Sequence, residues 1–245
     1  MKRTPISMFS LAALAFSMAM VAVMSAAGQT VNLISGDNAG IGNQDPYTTF
    51  IGGAQESPLS LSAFTAANFL SAQQGSEAYV VNPYGGVWVN PSTTAPFVGT
   101  GAQWISAASG GNNAPSALFA QTFTFGSAPL GAVLNFSWAV DDNLGDAENP
   151  AGIYINGNPI TAIGGGTFTS VSSVTGIYIP ASDLIDGVNT LYIYDRDTGG
   201  VVAGVVYDGT LTVVPEPSSL ALAGMGLAAL AVVFRARLSR RYLAS

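Results

Sequence analysis

Cysteine and histidine are both absent from this chain of 245 residues. Their absence excludes disulfides, thiol redox chemistry, Cys/His zinc sites and every nucleophile–imidazole catalytic system. Charge is scarce too: charged residues are 9% of the sequence, against about 25% in an ordinary soluble domain. Only seven residues are basic and the net charge is −7, so the Lys and Arg that neutralise phosphates are missing. Nucleic acid is not an expected partner.

The few charges are sorted along the chain. Lys2 and Arg3 open it, Arg235, Arg237, Arg240 and Arg241 close it, and Arg196 is the only basic residue between. Thirteen of the 14 acidic residues lie in 28–214 and only Glu216 lies beyond, so the middle carries 1 − 13 = −12. At the start, Lys2-Arg3, the apolar run Leu11–Val23 and the small residues Ser25-Ala26-Ala27 have the order of a secretory signal cleaved after Ala27. The apolar stretch back to Ile6 also fits an uncleaved anchor. Near the end, 218–234 is free of charge; as a helix it would extend ~25 Å, slightly short of a hydrocarbon core. The four arginines after it would stay on the cytoplasmic side.

Pro215-Glu216-Pro217 precedes that segment, and two prolines keep it extended and outside the helix. Pro-Glu-Pro, Ser-Ser, an apolar helix and a terminal arginine cluster, in that order, resemble the PEP-CTERM protein-sorting domain, with a match over 215–241 and the valine before it. The resemblance implies Sec-dependent export, transit through the inner membrane, recognition by an exosortase, cleavage near Pro215–Pro217 and release to the envelope or extracellular matrix. Arg235, Arg237, Arg240 and Arg241 would flank the membrane anchor.

The middle, 28–214, is read as one β-rich domain. Gln121-Thr-Phe123-Thr-Phe125 and Leu134-Asn-Phe136-Ser-Trp138-Ala-Val140 alternate with period two, the pattern of antiparallel strands with one face on a core. Many such short runs, punctuated by Gly, Asn and Pro, predict an all-β antiparallel sandwich or jelly roll. Further strands are expected at 87–89, 167–171, 201–207 and 210–214, and a short helix at 60–70. Asn156-Gly157 and Asp208-Gly209 predict tight turns. The ordered set Tyr79–Asn82, Trp104–Ser106, Gln121–Phe123, Trp138–Asn143, Ile155–Gly157 and Gly187–Leu191 resembles the galactose-binding-like domains of PEP-CTERM exoproteins.

Asp141, Asp142, Asn143, Asp146 and Glu148 crowd one loop with oxygen donors at a density that suits Ca²⁺; the alternative is a solvated acidic turn. The resemblance favours calcium, because such domains often hold it. Asp195-Arg196-Asp197 is a second polar cluster, with Arg196 either in an ion pair or turn or in contact with a sugar. Trp104 and Trp138 read as core, and Trp88 is the best candidate for stacking on a sugar ring, although packing suits it too. Asn156 completes the carbohydrate candidates. No carboxylate pair singles itself out as glycosidase machinery, and a non-enzymatic protein is expected. The functional reading is an exported carbohydrate-binding sandwich that meets exopolysaccharide. The alternatives are a purely structural matrix protein and a surface ice-binding protein.

Overall fold

The computed structural model describes residues 28–127, 129–214, 224 and 226–231. The expected signal peptide, Pro215-Glu216-Pro217 and Arg235, Arg237, Arg240 and Arg241 all lie outside the described residues. The chain divides into two units: Met1–Gly28 with Pro215–Ser245, and Gln29–Val214. In the first, 224 and 226–231 are helical, and among the described residues no helix is long and apolar enough to cross a membrane.

The second unit is built from antiparallel strands. In chain order they are β1 (Thr30–Ile34), β2 (Gln44–Gly52), β3 (Ser76–Val80), β4 (Ile105–Ser106), β5 (Ala117–Phe125), β6 (Gly131–Val140), β7 (Asn143–Leu144), β8 (Ile153–Ile155), β9 (Asn158–Pro159), β10 (Ser172–Pro180), β11 (Gly187–Arg196) and β12 (Val205–Val213). One layer runs β10–β6–β12 with β1 beside β12; the other runs β3–β2–β5–β11–β8–β9, with β7 on the end of β11. The short β4 hydrogen-bonds to both β12 and β3 and joins the layers along one side.

Alternation explains why the layers face each other. Phe119, Phe123 and Phe125 of β5 and Leu191 and Ile193 of β11 meet Leu134, Phe136 and Trp138 of β6 and Tyr207, Leu211 and Val213 of β12 in one core. Burying one apolar face per sheet leaves the alternate residues to solvent. A helix, α1 (Ala66–Gln73), covers the outer face of the second layer. It begins at a capping box, where the Thr65 amide donates to Asn68 Oδ1 at 2.9 Å. Phe69 and Ala72 then pack on Leu118, Ala120, Tyr154 and Tyr192.

The sandwich expectation holds, and four local readings need correction. Asp208-Gly209 is no turn: it sits mid-strand in β12, with Gly209 opposite Phe136. A Cβ at Gly209 would lie 2.6 Å from the Phe136 ring, so the glycine answers a close approach inside the sheet. The expected strand at 87–89 is instead a turn after the 3-10 segment Tyr84–Gly86, where Gly85 and Gly86 take φ of 54° and 70°. At 167–171 only an isolated bridge forms, Thr167 to Ser170. The helix starts six residues later than expected, and β2, with Pro46 inside it, had no sequence signal because proline argues against a strand interior.

Candidate functional site

At one end of the sandwich β6 stops at Val140, and the chain leaves it through Asp141 and Asp142. The Asp141 amide donates to the Gly204 carbonyl at 2.9 Å, and Asp142 takes the left-handed conformation at φ 63°, one that Asp tolerates better than most residues. The Asp142 carboxylate accepts the Thr198 and Gly199 amides. Asp197, fully buried, accepts the amides of Glu56, Gly199 and Gly200 at 3.0–3.2 Å. These bonds hold the 198–200 turn against the end of β6.

Asp195 lies in the same place with fewer partners. It belongs to β11 between Ala117 and Leu144, is 1% exposed, and its Oδ1 has no hydrogen-bond partner. Burial pushes its carboxyl well above the ordinary range, and Asp141, Asp142 and Asp197 push it further in the same direction. Asp141 is raised to about 6, chiefly by burial and then by the Asp142 charge, while a hydrogen bond with Trp88 works the other way. Four carboxylates thus lie within electrostatic reach of one another. Arg196 does not answer them: its guanidinium donates to Ser116 Oγ at 3.1 Å and to the Glu56 carbonyl at 3.2 Å.

The structure therefore divides the five residues expected to bind metal. Buried Asp141 and half-buried Asp142 join the cluster around Asp195. Asp146 turns away: its Oδ1 accepts the Glu148 and Asn149 amides at 3.1 and 2.8 Å, and its Oδ2 accepts the Tyr194 hydroxyl at 2.7 Å. Asn143 donates to the Gly145 carbonyl, and Glu148 is exposed. The loop is partly solvated: Asn143, Ala147 and Glu148 are exposed, whereas Asp141, Leu144 and Asn149 are buried and β7 pairs with β11. Among the described residues no three His, Cys, Asp or Glu side chains converge into a ready-made metal cage. Asp195, which is not among those five, lies within reach of the Asp141 and Asp142 charges. Its signal was parity: Leu191, Ile193 and Asp195 alternate along one strand, and the first two are core.

The carbohydrate candidates divide as well. Asn156 is consumed by the fold: its Nδ2 donates to the Asp183 carbonyl and Asn189 Oδ1, and its Oδ1 accepts the Thr190 amide. It makes the expected turn with Gly157 between β8 and β9. Arg196 is half-buried and likewise engaged by the fold, through Ser116 Oγ and the Glu56 carbonyl. Trp88 is 4% exposed and packs on Trp104 with ring centroids 4.2 Å apart. Both indoles help line a cleft of about 790 Å³, with Phe97, Asn38, Asn82, Asn90 and Gln103 among the other walls. Trp104 is fixed by donating its indole N–H to the Val89 carbonyl at 2.8 Å, and Trp138 is core as expected.

Residues 213–241 match the PEP-CTERM protein-sorting motif. Three solved structures show a distant likeness. The PA14 sugar-binding domain from an RTX adhesin is 13% identical, over 69% of this chain and 90% of that one, with a TM-score of 0.29. The PA14 domain of the MpAFP antifreeze protein is 18% identical, over 73% of this chain and 85% of that one, with a TM-score of 0.28. The infectious bursal disease virus Gt strain structure is 12% identical, over 86% of this chain and 73% of that one, with a TM-score of 0.12. Scores this low transfer no ligand to this chain. No curated protein matches it. The chain therefore carries a PEP-CTERM protein-sorting motif at its C-terminal end, and that motif implies exosortase-controlled export to the cell envelope.

Proposed function

We propose that this exported protein is a non-enzymatic, carbohydrate-binding component of the envelope or extracellular matrix, with a calcium ion organising the loops at one end of its sandwich. The observation that carries the proposal is the orphaned Asp195 Oδ1, buried among Asp141, Asp142 and Asp197. A buried ionised carboxylate without a partner is costly, so such groups neutralise, pair or coordinate a metal. Arg196 faces elsewhere, and the chain has no His or Cys to draw a softer ion. A donor set made only of oxygens suits calcium.

Asp195 and Asp141 would hold the ion. Asp142 and Asp197 add charge, while their backbone hydrogen bonds keep the 198–200 turn in position. The ion, when bound, supplies positive charge and open positions for hydroxyl oxygens. Passage through the Sec translocon, a transient membrane anchor and exopolysaccharide as the partner belong to the same reading.

Thermal unfolding of the full chain, in excess chelator and again in millimolar Ca²⁺, tests it. A ligand at 100-fold its Kd stabilises the native state by about 2.7 kcal/mol. The shift is expected to vanish in Asp195→Asn and to survive in Glu148→Gln. No shift in the native sequence overturns the calcium part and leaves the carbohydrate part to stand or fall on glycan binding alone.

A further inference from the structure

The cleft over Trp88 differs from the acidic knot in chemistry. The chain around it carries thirteen acidic residues, yet none of the described residues lining the cleft is charged. Its polar side chains are four amides and the Ser92 hydroxyl, which is itself bonded to Asn90. Asn38, Asn82 and Asn90 are exposed, and Gln103 is half-buried. Gln103 Oε1 accepts the Gly40 amide at 2.9 Å and so leaves its NH₂ free to donate. Asn90 Oδ1 accepts the amide and hydroxyl of Ser92, which likewise leaves the Asn90 NH₂. The indoles and Phe97 form a rigid apolar floor, since Trp88, Trp104 and Phe97 are all buried and the two indoles pack on each other. Tyr84 stands at the edge, 44% exposed, with its ring 6.4 Å from Trp88.

We propose that this cleft is a subsite for a neutral glycan, a chain of uncharged hexoses. An amide presents two donors and two acceptor lone pairs and so matches vicinal hydroxyls, each of which donates and accepts. The volume of about 790 Å³ lies within the roughly 300–1,000 Å³ typical of small-ligand sites. The apolar floor receives the C–H groups of a pyranose ring, and the exposed Tyr84 beside Trp88 offers a further stacking face. Uronates and sulfated sugars are disfavoured, because the cleft holds no cation and the surrounding protein is strongly acidic. This inference deepens the carbohydrate reading and rests on it, but it makes no use of calcium.

Isothermal titration of the full chain with neutral hexose tetraoses (gluco-, manno- and galacto-) and with galacturonate tetraose tests it, each in calcium and in chelator. At least one neutral tetraose is expected to bind and the galacturonate to bind more weakly. Asn82→Ala should weaken binding about tenfold, and Asn82→Trp, which fills the cleft, should abolish it. Both variants should melt with the native protein, and Asn32→Ala on the exposed face of β1 should bind normally. Binding to no neutral tetraose, preference for galacturonate, or indifference to both Asn82 variants overturns the proposal. Binding that falls with chelator yet ignores Asn82→Trp removes the cleft and keeps the calcium reading; the reverse pattern keeps the cleft and removes calcium.

Discussion

Asp45 and Asp195 are both carboxylates buried to 1% exposure or less in the same sandwich, and the structure treats them oppositely. Asp45 Oδ2 accepts the Gly36 amide at 2.8 Å, and its Oδ1 accepts the Tyr47 amide at 3.0 Å. Near it, the Tyr207 hydroxyl crosses the core to Thr48 Oγ1 and Gln121 Oε1, both at 3.3 Å. Gln121 in turn donates to the Ile34 carbonyl. That network is closed: each polar group has a partner, and the two layers are tied through it. The knot around Asp195 is open, with an orphan oxygen and three like charges nearby. A closed network serves the fold. An open one raises the energy of the free protein and is relieved by whatever brings positive charge.

The comparison breaks most sharply at Asp45. Asp45→Ala orphans two backbone donors and is expected to destabilise the fold by about 3 kcal/mol, read as a drop in melting temperature. If Asp45 and Asp195 were equivalent, Asp195→Asn would do the same. Instead, in chelator at pH 7, Asp195→Asn is expected to stabilise by about 1–2 kcal/mol, because it removes a charge the site cannot hold. A loss comparable to that of Asp45→Ala would show that Asp195 is an ordinary structural carboxylate.

pH sharpens the same contrast. Asp141 is raised to about 6 and Asp195 is raised well above its ordinary value, so the folded state binds more protons than the unfolded one. Without calcium, stability is therefore full below the unfolded carboxylate range, near pH 4, and declines as pH rises through 6. The expected loss is on the order of 2 kcal/mol between pH 4 and pH 7. Asp142 and Asp197 face the pair from the neighbouring loops and Arg196 is turned away, so a counter-charge within the protein does not cancel the effect. Calcium should restore stability at pH 7 and add little at pH 4, where protons occupy the carboxylates. A melting temperature flat from pH 4 to 7 in chelator would sink the open-knot description.

The smallest expected effect lies in the closed network. Tyr207→Phe removes the hydroxyl shared by Thr48 and Gln121 and should cost about 1 kcal/mol, with no change in the calcium response. A changed calcium response would mean the two networks communicate through β12.

Much of this was legible in the residues themselves. The alternation in Gln121–Phe125 and Leu134–Val140 places the faces of β5 and β6 correctly, since a period-two pattern can bury only one side of a sheet. Asp208-Gly209 misled because its turn signal is local, whereas the ring of Phe136, on another strand, decides what fits opposite Gly209. Asp141 and Asp142 were readable as an acidic pair, but Asn143, Asp146 and Glu148 were grouped with them by nearness in sequence. In space the Tyr194 hydroxyl and two backbone amides draw Asp146 off, and Asp195 comes in from β11.

By itself the sequence determined the exclusions, the charge sorting, the all-β class and the sorting motif at the C-terminus. Each depends on composition or on short-range order, which pairing in space cannot alter. Tertiary structure alone decided which acids meet, that Arg196 turns away from them, and that amides from 38, 82, 90 and 103 share one cleft with Trp88. Those contacts join residues far apart in the chain, and they depend on strand register and loop closure rather than on any local pattern.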